Sequence, residues 1–270
     1  MPGTTMIDFN RLFREKSIMQ AAYAKAKPYE HICIDNFLTQ DGIAQIRRDY
    51  SGKDPSTDDQ SSDYLFAKNK YENNRFESIS LSFGQLRREL ISEEFQDFLE
   101  GLTGLPVFVD PDFAGGGLHQ GGEGSFLEMH ADFSRHPVKK DWVRELNILL
   151  YLNEGYRDDW LGALDLEDLH NGDRASILPV ENRLVIMLSK SHTLHGYKRI
   201  RFPKGLYRTS VAAYGYIQDD GSNEAGYTST VWAPKNGVKR VFAGFVNKLV
   251  PIKQAMFGSR TGERNSRGKE

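Results

Sequence analysis

Between residues 106 and 217 the chain reads as a succession of short strands, and this restricts its fold more than any other feature. Residues 145–153, Glu-Leu-Asn-Ile-Leu-Leu-Tyr-Leu-Asn, form a nearly continuous apolar run, and residues 183–188, Arg-Leu-Val-Ile-Met-Leu, form another. Short runs of this kind read as strands buried on both faces. Residues 106–110, 126–133, 163–169 and 207–217 supply further strands. The glycine-rich stretch 115–122 reads as a bend between two of them. Many short strands separated by turn signals predict two packed sheets rather than βαβ units. A jelly roll is the natural architecture.

The flanks differ. Ile7, Phe9, Leu12 and Phe13 recur loosely at helical spacing, Pro28 stops that region, and residues 31–38 alternate like a strand. Thr39 is placed to cap a helix containing Ile43 and Ile46. A helix is predicted over 83–90. Another is predicted over 92–102, with Phe95, Phe98, Leu99 and Leu102 on one face, Ser92 as its cap and Gly104 as its stop. Residues 51–63 are polar with Pro and Gly, a solvated connection or a lid over a site. Beyond Asp220, Val238, Val241, Phe242, Phe245 and Leu249 trace a helical stripe opposite a basic face, and residues 258–270 have a disordered composition. The expected organisation is one domain in three parts. These are a helical and strand region at 1–104, a β core at 105–220, and a basic helix with a disordered tail at 221–270.

Within the core, His130 and Asp132 are two apart on a predicted strand, a spacing that sends both side chains to one face. His195 follows with Gly196 beside it, and Arg208 and Ser210 form a second pair at strand spacing. Two histidines and a carboxylate on one face of a metal are the donor set of non-haem Fe(II) oxygenases, which leaves positions open for oxygen and a bidentate keto acid. Arg208 suits the distal carboxylate of such an acid, and Ser210 can add a hydroxyl. His192 competes with His195 as third ligand. Gly196 favours His195, because a glycine lets the backbone turn close to a metal.

In these residues the chain resembles the Fe(II)- and 2-oxoglutarate-dependent dioxygenases, specifically the prolyl-4-hydroxylase-like branch, over roughly residues 28–217. The segments concerned are 35–38, 117–122, 130–132, 146–153, 182–187, 193–196 and 207–210. The resemblance implies a mostly β fold with flanking helices around a double-stranded β-helix, a jelly-roll, cupin-like core. It also implies iron on His130, Asp132 and His195, 2-oxoglutarate on Arg208 with Ser210 assisting, and O2 as oxidant. Two departures stand out. Gly162-Ala163 replaces a Gly-Gly pair, and Leu150 stands at the expected place of a tyrosine that helps bind 2-oxoglutarate. Gln120 is expected to supply a polar contact instead. Because the carboxylate Asp132 is retained, hydroxylation is favoured over halogenation.

The expected activity is oxidation of a substrate C–H bond coupled to decarboxylation of 2-oxoglutarate to succinate and CO2, with hydroxylation, desaturation and ring formation all open. The two departures lean the substrate towards a polar small molecule or sugar over a protein side chain. Glu128, Arg135, His136, Trp142 and Arg144 are candidates for its entrance. The alternatives are a peptidyl, prolyl-type hydroxylase, a cupin-type enzyme using the same ligands without 2-oxoglutarate, and a non-catalytic jelly-roll binding module. The net charge of −2 points to no nucleic-acid partner. The single cysteine, Cys33, allows no intrachain disulfide. With no long apolar run and no leader pattern, a cytoplasmic location without a membrane span is expected.

Overall fold

The computed structural model describes residues 5–50, 54–56, 59, 63, 65–221 and 230–233. Among the described residues, four α-helices, α1 (Phe9–Lys25), α2 (Gln40–Tyr50), α3 (Leu81–Leu90) and α4 (Glu93–Thr103), accompany eleven strands. The caps are those expected from the sequence. The Ser92 hydroxyl accepts from the Phe95 amide at 3.3 Å, Thr39 accepts from the Gly42 amide at 3.0 Å, and Gly104 closes α4 at φ 74°. The anticipated stripe of α4 is fully buried, whereas Phe13 of α1 is exposed. None of the helices among the described residues is long and apolar enough to cross a membrane.

The strands are β1 (His31–Ile34), β2 (Ala67–Asn73), β3 (Phe108–Val109), β4 (Gly117–Ala131), β5 (Trp142–Tyr151), β6 (Leu164–Asp168), β7 (Arg174–Ile177), β8 (Leu184–Leu188), β9 (Thr193–Tyr197), β10 (Arg208–Gln218) and β11 (Val231–Trp232). They pair antiparallel in the order β1-β8-β5-β10-β4-β9-β6-β7, with β2 and β11 also on β4 and β3 on β10. The first part of β4 lies against β10 and the last part against β9, so one strand serves both halves of the curled sheet. This is the double-stranded β-helix expected above.

The glycine-rich stretch expected as a bend is instead the first half of β4. Its register shifts between Leu127 and His130 against β9, and β2 shifts beside it between Lys68 and Lys70. Irregularities of this kind let a strand turn from one sheet into the other without breaking. One face of the β1-β8-β5-β10 half is apolar and meets the helices. Ile148, Leu150, Ile186, Val211 and Ala213 join Phe83, Phe95, Phe98 and Leu99 in the main core. Side chains alternate between faces, so Asn147, Leu149, Tyr151, Arg208 and Ser210 turn the other way, into the curl of the sheet. The basic helix expected after residue 238 and the disordered tail lie outside the described residues, as does most of the 51–63 connection.

Candidate active site

His130 of β4 stands directly opposite His195 of β9, and their rings are 4.3 Å apart. Asp132 follows one residue past the end of β4. The Nε2 of His130 is 3.5 Å from Asp132 Oδ1, and the Nε2 of His195 is 3.5 Å from Asp132 Oδ2. One ligand atom from each residue lies within 4.8 Å of the others. The Nδ1 of His130 is 2.9 Å from the Glu128 carbonyl. That contact makes Nδ1 the protonated nitrogen and leaves the Nε2 lone pair for a metal. Gly196 is needed for close strand packing rather than for a turn, since a Cβ there would stand 2.7 Å from the Leu127 carbonyl oxygen.

Behind the trio, Asp132 Oδ2 accepts from Arg144 Nη2 and from Asn147 Nδ2, each at 2.9 Å. Arg144 is completely buried, with its guanidinium over the rings of Tyr214 and Phe133. Burial alone would raise the Asp132 carboxyl, but the Arg144 guanidinium, with both histidines, holds it well below the usual carboxylate range. Burial, together with the neighbouring His130 ring, pushes His195 down to about 3, so its ring is neutral. An ionised carboxylate, a His130 ring with its tautomer fixed and a neutral His195 ring fit a divalent transition metal.

The cavity in front of the trio measures about 220 Å3. At one end Arg208 donates from Nε to the Gly162 carbonyl at 2.6 Å and from Nη2 to the Tyr151 hydroxyl at 3.1 Å, with the Tyr197 ring 4.1 Å from its Cζ. Ser210 lines the same wall, with Leu149, Leu164 and Met187 around it. The tyrosine that the sequence reading found replaced by Leu150 is therefore present one residue on. Leu150 packs into the core behind the sheet, and Tyr151 faces Arg208. Gly162 adopts φ 84°, and an added Cβ would come within 2.9 Å of Ile200 and 3.1 Å of Arg208 Cδ. Gly162→Ala should therefore cost about 1–3 kcal/mol and displace Arg208. Thermal melting and 2-oxoglutarate titration of that variant would expose the error if both matched wild type.

Several sequence expectations need correction. Gln120 borders the cavity, but it pairs with Thr209 and Tyr71, so its side chain shares their outer face, where it meets the Tyr50 hydroxyl. The residue of β4 that pairs with Ser210 is His119. None of the five candidate entrance residues lines the cavity. Arg144 lies behind Asp132, His136 is buried against Asp110, Trp142 packs on Phe108, Arg135 pairs with Asp219, and Glu128 contributes its backbone carbonyl. His192 is not with His130. It stacks on His170 at 4.2 Å with Asp168 nearby, a separate group of possible metal-ligand atoms. A second cleft of about 280 Å3, outside β10 around Tyr50 and Tyr207, contains none of the trio.

Sequence reasoning named Arg144 only as an entrance residue, and missed Asn147, Tyr151 and Trp232. Asn147 had a signal, being a lone amide within an apolar strand. Trp232 had none: it reaches His130 across the β11–β4 pairing and stacks on its ring at 4.9 Å.

Residues 116–216 match the family model of the 2OG-Fe(II) oxygenase superfamily. The fold is similar to a prolyl hydroxylase from Trichoplax adhaerens, solved in complex with a peptide fragment of the hypoxia inducible factor oxygen degradation domain. The TM-score is 0.53 at 15% identity, covering 77% of this chain and 91% of that one. It is also similar to a prolyl 4-hydroxylase from Phytophthora capsici, with a TM-score of 0.50 at 15% identity, covering 98% and 84%. At these identities the likeness speaks for the fold. No curated protein sequence matches the chain.

Proposed function

We propose that the chain, whose residues 116–216 match the 2OG-Fe(II) oxygenase model, is an oxidoreductase using Fe(II), 2-oxoglutarate and O2, and that it oxidises a C–H bond of a polar small molecule at the His130–Asp132–His195 trio. The observation that supports this most is the convergence of three metal-ligand atoms at one end of a cavity whose other end is Arg208. Bound there, iron with 2-oxoglutarate and O2 supplies the power to oxidise an unactivated C–H bond, yielding succinate and CO2.

The protein's own part is positioning and electrostatics. His130 and His195 offer their Nε2 atoms, and Asp132 offers a carboxylate whose charge Arg144 balances from behind. Arg208 takes the distal carboxylate of 2-oxoglutarate, with the Tyr151 and Ser210 hydroxyls beside it. The Gly162 carbonyl and the Tyr197 ring hold the guanidinium in place before the co-substrate arrives, so little ordering remains at binding. Leu149, Leu164 and Met187 wall the space between with apolar surface and keep water out. Peptidyl hydroxylation is the second reading, favoured by the peptide seen with the Trichoplax adhaerens relative.

Anaerobic titration of the Fe(II)-loaded protein with 2-oxoglutarate tests the reading through the weak visible charge-transfer band of the chelate. Wild type should develop the band. Arg208→Ala should need at least tenfold more 2-oxoglutarate, because truncating one partner of a buried charge pair costs about 2–5 kcal/mol. Bound iron with no band in wild type overturns the assignment and favours a cupin-type reaction on the same ligands.

A further inference from the structure

The cavity has a second polar wall that neither the metal nor Arg208 uses. On β2, Lys70 and Glu72 pair with Gly121 and His119 of β4, and both line the cavity together with His119 and Tyr214. The Lys70 ammonium donates to the Glu72 carboxylate at 2.6 Å. The Nε2 of His119 is shielded from solvent and meets no hydrogen-bond partner among the described residues. Tyr214 donates its hydroxyl proton to the Gly115 carbonyl at 2.8 Å, which leaves its oxygen lone pairs as acceptors.

An orphaned nitrogen inside a protein is costly unless something pairs with it. A strand that only shaped an apolar pocket would not put Lys70 and Glu72 on its inner side. Burial, with Lys70 beside it, pushes His119 down to about 4, so its ring is neutral at ordinary pH. The wall thus mixes one strong donor, the ammonium, with a carboxylate, an imidazole and a phenol oxygen. A hydroxyl group both donates and accepts, and a molecule with several hydroxyls matches such a mixture. A prolyl ring in a peptide has neither an N–H nor a hydroxyl, and would leave the His119 nitrogen unmatched.

We propose that Lys70, Glu72 and His119 form the substrate-recognition wall of this enzyme, and that the substrate is a polyhydroxylated small molecule of the sugar or cyclitol class. This rests on the iron and 2-oxoglutarate reading above.

The test uses the anaerobic Fe(II)- and 2-oxoglutarate-loaded protein, with methyl glucoside and myo-inositol as polyol probes and N-acetylprolinamide as the peptide-like comparator. The charge-transfer band reports co-substrate binding, and its perturbation on adding a probe reports occupancy of the neighbouring space. In air, succinate release reports coupling. Wild type should respond to at least one polyol and not to the prolyl probe. Glu72→Gln, which keeps the shape of the side chain, and His119→Asn should still form the band within about twofold of wild type. Both should need roughly tenfold or more polyol for the same perturbation, the loss expected for one charge-assisted hydrogen bond. A wild-type protein that forms the band but ignores both polyols overturns the inference. Variants that respond to polyol like wild type also overturn it. So do variants that lose 2-oxoglutarate itself, which would assign the wall to the co-substrate. Absence of the band in wild type strikes the underlying reading instead, so the two failures are told apart.

Discussion

Asp132→Ala is expected to remove iron binding and take 2-oxoglutarate turnover below a hundredth of wild type, since even the outer partners of a metal ligand are worth about 10–100-fold. Asp132 is the hinge of the arrangement: one oxygen faces His130, and the other faces His195 and receives Arg144 and Asn147. Alanine would also strand the Arg144 guanidinium without its carboxylate, so a loss of activity alone could come from misfolding. Asp132→Asn separates the two effects. Its amide oxygen can still accept from Arg144, so the fold should hold while the anionic ligand is gone. Iron content after anaerobic desalting, near-ultraviolet circular dichroism and succinate release decide the matter. A folded Asp132→Asn protein with full iron and full turnover would exclude this carboxylate from the metal site.

Arg144→Leu should cost the metal-free protein about 3 kcal/mol or more, roughly 6–12 °C in Tm, because breaking a buried ion pair leaves an uncompensated charge. The loss should be clearly smaller with a divalent metal bound, since the cation then balances Asp132 in place of the guanidinium. Arg144 also packs between Tyr214 and Phe133, so a purely steric role is the rival explanation. Melting curves of both forms discriminate. An equal drop with and without zinc would make Arg144 a packing residue, whereas a drop that shrinks with zinc makes it the counter-charge of an empty metal site.

Much of this architecture was legible in the sequence, for reasons visible in particular residues. The runs at 145–153 and 183–188 announced themselves because one face of β5 and β8 meets the helices and the other meets the curl of the sheet, so little water touches either. The caps at Thr39, Ser92 and Gly104 act locally and were read locally. The pairing of β2 with β4 was not legible. Ala-Lys-Asn-Lys-Tyr-Glu-Asn shows no apolar alternation, because its inner positions are Lys70 and Glu72, which face a cavity rather than a core. Gln120 borders the cavity, and the face its side chain takes was equally hard to read. Glycines at 121, 122 and 124 hide the phase of the strand, and a shift of one residue exchanges Gln120 for His119. Tyr151 was passed over for Leu150 by the same single step. The His130–Asp132 pair is less open to such slips because its members are counted from each other and not from a distant reference.

The pairing of Val231-Trp232 with Ala131 and His130 changes how the end of the chain should be regarded. Residues beyond 220 read from sequence as an appendage, yet two of them cover the open edge of β4 beside the metal ligands. A protein trimmed at that boundary would keep every catalytic group and still present bare backbone amides and carbonyls next to His130. Bare strand edges recruit other strands. Val231-Trp232 therefore protects solubility as well as shape: versions shortened before it should self-associate through β4.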